Sequence, residues 1–327
     1  MNTSLIVILI LACIYGYING INGAANIVAT IVSARAMKPR LALVLASFGI
    51  VAGPFLLGSA VSNTIGSELM RPETTTSSVV TAALASAILW SSFTLWLKLP
   101  SSISHSLIGG ILGAVWFDFG INGDQMGGLQ KTLLALFVSP LLGFVTGYVL
   151  VKITYRLSIT ASPKVNRTFN RAQVVASMLM AISYGSNEAQ KITAMIALGL
   201  VATGVTDSFM IPPWTIALGA GALGLGSLIG GWRLIRTLGG KFYKIRPIHG
   251  FGAQIASALI LFGVGSLGGP VSGSQVVTSS ILGAGSADRI KKVRWGVGKQ
   301  ILMGWLFTLP VSAVISAIIY QIIEKGF

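Results

Sequence analysis

Two polar motifs occur twice in this chain, each time inside a hydrophobic segment, and this repetition restricts the folds open to it. The first motif surrounds Asn22 and recurs around Asn187, 165 residues later. The second follows Pro100 and recurs after Pro270, 170 residues later. Polar, glycine-broken segments at matching places in two halves are typical of membrane transporters with a substrate site between the halves. We therefore predict two membrane repeats, residues 1–160 and 161–327.

Composition places the chain in a lipid bilayer. Of its 327 residues, 53% are hydrophobic and 9% are charged, whereas a soluble domain has roughly 25% charged residues. Two short apolar runs, 101–117 and 271–287, carry the copies of the second motif. We predict an all-α integral membrane protein with broken helices or re-entrant hairpins. Eight further stretches have the length of about 20 residues that a span needs: 4–33, 41–62, 78–97, 132–151, 172–201, 213–232, 250–268 and 300–322.

The positions of the basic residues predict the topology. The net charge is +15, and most Lys and Arg residues lie in a few loops. If both short runs cross the membrane, these loops all face the cytoplasm and both termini lie outside, as the positive-inside rule requires. Each half then crosses an odd number of times, which inverts the second repeat. We predict a multi-pass protein of the cell membrane whose charge serves topology and lipid contact rather than nucleic-acid binding. The basic loops are 35–40, 98, 152–171, 233–246 and 289–299.

Cysteine and histidine are too few for a metal centre. The single Cys13 excludes an intramolecular disulfide and a cysteine-based metal site. Only His105 and His249 are present, which argues against a zinc cluster. We expect no metal and no cofactor. The apolar run Leu5–Cys13 follows no basic segment, so we interpret it as part of a retained span rather than a signal peptide.

The first motif interrupts its span with Asn19, Asn22 and Asn26 among several glycines. Irregular backbone at membrane depth persists only where it is buried in protein or lines a cavity. Amide groups freed at a helix start would attract an anion. Asn22 and Asn26 are four residues apart and share one helix face. Helix packing is the alternative role for such a motif.

The copy of this motif contains two ionisable residues, Glu188 and Lys191, near the middle of a span. Charges within the membrane indicate function by default. Lys191 could attract an anion, and Glu188 could bind a cation or carry a proton. A purely structural ion pair is the alternative, because the two residues are three positions apart. Asn187 and Gln190 add uncharged donors and acceptors.

The serine motifs supply hydroxyl, imidazole and amide groups that suit a tetrahedral oxyanion. His105 could also relay protons. A serine hydrolase would need a G-x-S-x-G elbow and a carboxylate partner, and neither is evident, so we do not predict an enzyme. We predict that the oxyanion binds Asn22, Asn26, Ser102, Ser104, Asn187, Gln190, Lys191, Ser272 and Ser274. We assign the coupling ion to Glu188, His105, Asn19 and Gln275.

These residues resemble the motifs of the inorganic phosphate transporter family, the PiT group of cation-coupled phosphate symporters. Asn19–Asn26 resembles its N-G-x-x-D-x-A-N element, and Gly185–Lys191 resembles its G-x-N-D-x-Q-K element. The serine motifs resemble its P-[VI]-S-x-[ST]-[HQ] elements, and Val293–Val297 fits its V-R-W-G-V segment. The resemblance covers nearly the whole chain. It implies a secondary transporter of inorganic phosphate, and analogy with other carriers suggests a homodimer.

Two acidic positions of the family differ in this chain. The first motif has Gly23 and the second has Glu188 where the family has Asp. A lost carboxylate weakens a sodium site, so a proton carried by Glu188 or His105 is the simpler expectation, with sodium as the other candidate. The loss also keeps sulfate open, because sulfate needs only donors, whereas phosphate retains a proton that a carboxylate could accept. A branch of the family resembles sulfate permeases. We expect phosphate, with sulfate as the alternative and a channel or membrane enzyme as competing classes.

Overall fold

A computed structural model describes residues 2–72, 75–97, 101–118, 126–160, 162, 164–240 and 242–326. Within these ranges the chain is helical and contains no strand. Lys98, Pro100, Lys241 and the predicted boundary residue Ala161 lie outside them. A π-helical segment, Thr64–Leu69, follows α3 directly. The helices are α1 (Thr3–Ser33), α2 (Pro39–Leu56), α3 (Ala60–Asn63), α4 (Ser77–Trp96), α5 (Ile103–Asp118), α6 (Met126–Leu157), α7 (Val165–Ala202), α8 (Pro213–Ile229), α9 (Trp232–Gly240), α10 (Pro247–Ser266), α11 (Gly273–Asp288) and α12 (Trp295–Gly326).

Six helices in the described part of the chain are long and apolar enough to cross a membrane, namely α1, α2, α4, α6, α10 and α12. They coincide with six of the eight predicted stretches. The stretch 213–232 contains α8 and ends at the first residue of α9. α8 and α9 are bent by 72° and make a seventh span if the pair is counted as one. The stretch 172–201 lies in α7, a helix of 38 residues. Its polar motif makes it less apolar than the six, and the other helices bury every residue from Ser183 to Leu200.

The two short runs form the second arms of helical hairpins. α5 and α11 have 16 residues each, about 24 Å at 1.5 Å per residue, which is less than the hydrocarbon core of about 30 Å. Both begin inside the protein, where Ser104 and Gly273 contact Glu188. The start of α10 and the end of α11 line one cleft, through Pro247 and Asp288. The two arms of the α10–α11 hairpin therefore open to the same end of the molecule, while a full crossing or re-entry by each short run remains a prediction.

Helix packing relates the two predicted repeats reciprocally. α1 packs on α8 as α7 packs on α2, and α5 packs on α12 as α11 packs on α6. A side chain at Gly20 would collide with the carbonyl oxygen of Leu223, and one at Gly185 would collide with that of Ile50. Small residues permit such close backbone approach between membrane helices. A duplicated chain is expected to pack in this reciprocal way. The repeat boundary and the inversion of the second repeat remain predictions.

The two ends of the helix bundle differ in charge. One end, which we call the basic end, carries the cleft lined by Arg35, Lys244, Arg246 and Arg294. At the opposite end, Lys131 forms an ion pair of 2.9 Å with Glu68 of the π segment. This asymmetry agrees with the positive-inside rule, which would direct the basic end to the cytoplasm.

Candidate functional site

Glu188 is the centre of a buried cluster to which both halves contribute. Its carboxylate accepts hydrogen bonds from Asn19 Nδ2 at 3.0 Å and from Ser104 Oγ at 3.2 Å, both in the first half. Gly273 N donates to it at 3.1 Å and Lys191 Nζ at 2.8 Å. Glu188 is only 1% exposed. All four partners are donors, which matches a carboxylate that only accepts.

Lys191 is fully buried, and each of its three ammonium protons has an oxygen partner. Its Nζ lies 2.8 Å from Glu188 Oε1, 2.7 Å from Ser104 Oγ and 2.6 Å from the carbonyl oxygen of Val271. That carbonyl is available because α11 begins only at Gly273, so Val271 lies in the break between two helices. Lys191 and Glu188 therefore form a closed pair in this conformation. Removing one partner of such a pair typically costs about 3–5 kcal/mol.

The two copies of the serine motif meet beside this pair. Ser102 Oγ lies 2.7 Å from Ser272 Oγ, which occupies the same motif position in the other half. Ser274 Oγ lies 3.2 Å from Ser272 Oγ. The His105 ring contacts Ser102 Oγ at 2.8 Å and Gln275 Nε2 at 3.3 Å. The serine hydroxyl groups predicted to bind an oxyanion thus lie at the junction of the two halves. Within the described residues, no carboxylate contacts the His105 ring.

Three predicted substrate ligands have other partners. Asn22 Nδ2 donates to the carbonyl of Ile18 in its own helix at 3.3 Å. Asn187 Nδ2 donates to the carbonyl of Gly269 at 3.3 Å. The Oε1 atom of Gln190 accepts from the backbone N–H of Val61 at 2.7 Å and of Ser62 at 3.3 Å. The structure brings Asn19, Ser104, Glu188 and Lys191 together directly but does not join Asn22, Asn187 or Gln190 to them by hydrogen bonds.

Gly23 occupies the position in the first half that Glu188 occupies in the second, and a tyrosine fills the space beside it. A Cβ atom at Gly23 would lie 2.6 Å from the ring of Tyr184, and a side chain at Gly273 would also collide with that ring. The Asn26 side chain lies close to the Tyr184 hydroxyl group. The two related positions are therefore unlike: Glu188 pairs with Lys191, whereas Gly23 lies against the ring of Tyr184, which also comes from the second half.

Sequence reasoning missed several groups of this site. Tyr184 lies within the second copy of the first motif, three residues before Asn187, so that motif could have indicated it. The amide of Gly273 and the carbonyl of Val271 are backbone groups, and only the break before α11 hints at them. Tyr15, which donates to the carbonyl of Ile103 at 3.4 Å, had no evident signal.

Buried charges and broken helices that meet between two reciprocally packed halves define a helical membrane transporter with a central site. More particularly, the chain belongs to the phosphate transporter family, whose model matches residues 19–316. This confirms the family resemblance of the motifs.

Individual relatives agree with this assignment. The chain is 40% identical to the probable low-affinity inorganic phosphate transporter of Bacillus subtilis (strain 168), covering 98% of both chains. It is 38% identical to a protein of the same description from Rhizobium meliloti (strain 1021), covering 97% of this chain and 95% of the relative. A solved structure described as the sodium-dependent phosphate transporter superposes with a TM-score of 0.89 over 100% of both chains, at 24% identity. That structure supports the fold.

Proposed function

We propose that the protein is a secondary transporter that carries inorganic phosphate across the cell membrane by cation-coupled symport with alternating access. The buried Lys191–Glu188 pair at the junction of both halves is the observation that carries this proposal. Both relatives named above are described as inorganic phosphate transporters, which favours phosphate over sulfate and a transporter over an enzyme. A homodimer remains a prediction.

Exchange of partners at Lys191 provides a coupling step. An incoming phosphate takes the place of Glu188 beside the ammonium group, and the hydroxyl groups of Ser102, Ser104 and Ser272 supply further donors. The released carboxylate of Glu188 then takes up the coupling cation. A closed pair has to recover its desolvation cost through mutual attraction alone, whereas this exchange ties the movement of the anion to that of the cation.

The number of carboxylates at the two related positions sets the number of cation sites there. Glu188 offers a carboxylate, and the related position 23 is a glycine beside the Tyr184 ring. We therefore propose one cation bound at Glu188, with Asn19, His105 and Gln275 around it. Phosphate uptake under an imposed proton gradient, compared with uptake under an imposed sodium gradient, identifies that cation.

Uptake into proteoliposomes tests the mechanism. Lys191→Met should abolish phosphate binding, and Glu188→Gln should leave phosphate-for-phosphate exchange while removing uphill, gradient-driven uptake. If the double variant recovers driven uptake that either single variant lacks, the pair is structural and the mechanism is wrong.

The same proteoliposomes test the competing classes of protein. Downhill flux without accumulation would indicate a channel, and turnover of a supplied phosphorylated lipid would indicate an enzyme. Competition by sulfate equal to that by phosphate would overturn the substrate assignment.

A further inference from the structure

A cleft of about 910 Å³ opens at the basic end of the bundle, and none of the central-site residues lines it. Its walls are the ends of α1, α9 and α11, the start of α10, and the segments that lead into α10 and α12. The charged residues of its lining are Arg35, Lys244, Arg246, Arg294 and Asp288.

The cleft keeps a positive charge after its helix ends are taken into account. Four cations and one carboxylate leave an excess of three positive charges in the lining. Three helix C-termini, each equivalent to about half a negative charge, and the two N-termini of α10 and α12, of opposite sign, reduce this to about +2.5. The basic residues thus exceed what the helix ends neutralise, and the concave walls concentrate their field.

Arg35 has a backbone conformation that is costly for arginine. Its φ is +57°, in the left-handed region, just after α1 ends. The N–H of Ala36 donates back to the carbonyl of Ile31 at 3.0 Å, a helix-ending turn in which glycine is the favoured residue. The Arg35 side chain thus lines the rim of the cleft from a strained backbone position, and strain of this kind is a basis for a hypothesis of function.

A stripe of small and polar residues on α1 leads from the central site to the cleft. Asn19, Gly23, Asn26, Thr30 and Ser33 follow one another every three or four residues, so they lie along one face of the helix. Asn19 binds Glu188, and Ser33 lines the cleft. The Thr30 hydroxyl is buried between them and has no hydrogen-bond partner within the described ranges.

Tyr243 lines the cleft and anchors it to α11. Its hydroxyl donates to the carbonyl of Ile281 at 2.9 Å, and its ring lies against Gly285, where a side chain would collide with it. Burial, with the nearby Tyr155 and Asp288, raises the pKa of Tyr243, so it stays a neutral donor. This contact fixes the segment that carries Lys244 and Arg246.

We propose that this cleft is a second anion site, which binds a phosphate-bearing anion from the cytoplasm. The guanidinium groups of Arg35, Arg246 and Arg294 match the geometry of phosphate oxygens, and Lys244 adds a mobile ammonium group. The cleft volume accepts a phosphate monoester as well as inorganic phosphate. The anion comes either from solution or from the headgroup of an anionic lipid. This inference does not depend on the transport mechanism proposed above.

Binding of adenosine monophosphate to the full chain in phosphatidylcholine nanodiscs tests the proposal. The nucleotide is too bulky for the closed central site, so it reports the cleft alone. Replacing Lys244, Arg246 and Arg294 together by Gln should weaken binding roughly tenfold or more, because each is a charge-assisted contact. The control, Lys38→Gln with Arg40→Gln, removes two exposed basic residues outside the cleft and should change nucleotide binding little. Inorganic phosphate should displace the nucleotide.

Further variants distinguish binding in the cleft from binding in the central site, and a change of lipid distinguishes a soluble anion from a lipid headgroup. Lys191→Met should bind the nucleotide as the unmodified chain does, and loss of binding there would overturn the proposal. Equal binding by the cleft variant and the control would also overturn it. If the triple variant fails to fold, the loop substitution Lys244→Gln alone should still weaken binding. Adding phosphatidylglycerol should lower nucleotide affinity if the headgroup occupies the cleft, and leave it unchanged if the anion is soluble.

Discussion

Single residues make the two halves of the central site chemically different. Lys191 and Glu188 give the second half a buried charge pair, whereas the related positions in the first half are Asn26 and Gly23. Tyr184 fills the space beside Gly23. A duplicated scaffold thus holds its charge on one side only, so the exchange of ion partners proposed above would be confined to the second-half motif.

Gly23 should be intolerant of even one added carbon. Gly23→Ala places a Cβ atom 2.6 Å from the Tyr184 ring, and overpacking of this kind costs about 1–3 kcal/mol. The control is Gly221→Ala on α8, where nothing lies within 4 Å of the added carbon. We expect Gly23→Ala to lower the unfolding temperature in detergent, and Gly221→Ala to leave it unchanged or raise it. Adding Tyr184→Leu to Gly23→Ala should recover stability, and no recovery would mean that the ring is not the obstacle.

At the scale of elements, breaks in helices deliver backbone groups to side chains. The unwound residues before α11 expose the carbonyl of Val271 to Lys191. On the other side of α7, Gln190 accepts hydrogen bonds from the first turn of α3, and Ser62 Oγ donates back to the Gln190 carbonyl at 2.7 Å. The same motif therefore binds the central pair through Glu188 and holds the α3 segment through Gln190.

The α3 segment and the π segment after it should loosen when Gln190 loses its acceptor. Gln190→Leu leaves the N–H groups of Val61 and Ser62 unpaired, at about 1–3 kcal/mol for each buried group. Hydrogen–deuterium exchange in residues 60–69 should then accelerate roughly tenfold or more. Gln190→Glu keeps an acceptor oxygen and should preserve protection. Equal exchange in both variants would show that the segment is held by other contacts, such as the Glu68–Lys131 pair.

Much of this arrangement could be predicted from the sequence, because buried polar residues are costly in a membrane and so stand out. That signal identified Glu188, Lys191 and both serine motifs. It could not distinguish residues that contact the Glu188–Lys191 pair from residues such as Gln190. The sequence shows a buried amide but not whether its partner is a substrate or the start of a helix. Hydropathy located α8 within 213–232, but it could not detect the 72° bend that joins α8 to α9 at the end of that stretch.

At the scale of the whole molecule, alternating access as proposed above would use two related half-paths, one along α1 and one along α7. α1 leads from the central pair to the basic end, and α7 leads from it toward the opposite end, where Phe209 of the following segment meets the π segment. Thr30 on α1 and Met195 on α7 occupy the same place, 165 residues apart. Both are buried, at 2% and 0% exposure, so neither half-path is open in this conformation. Alternating access requires one half-path to open while the other closes.

Cysteines at these two related positions should therefore respond in opposite directions. In a Cys13→Ser background, Thr30→Cys and Met195→Cys are treated with a membrane-impermeant thiol reagent, with and without phosphate and the coupling cation. Because opening one half-path closes the other, any condition that raises the reactivity of one cysteine should lower that of the other. The two should also be labelled from opposite faces of the membrane. Reactivities that rise and fall together would indicate a continuous pore, and labelling of both from one face would contradict the inverted repeat.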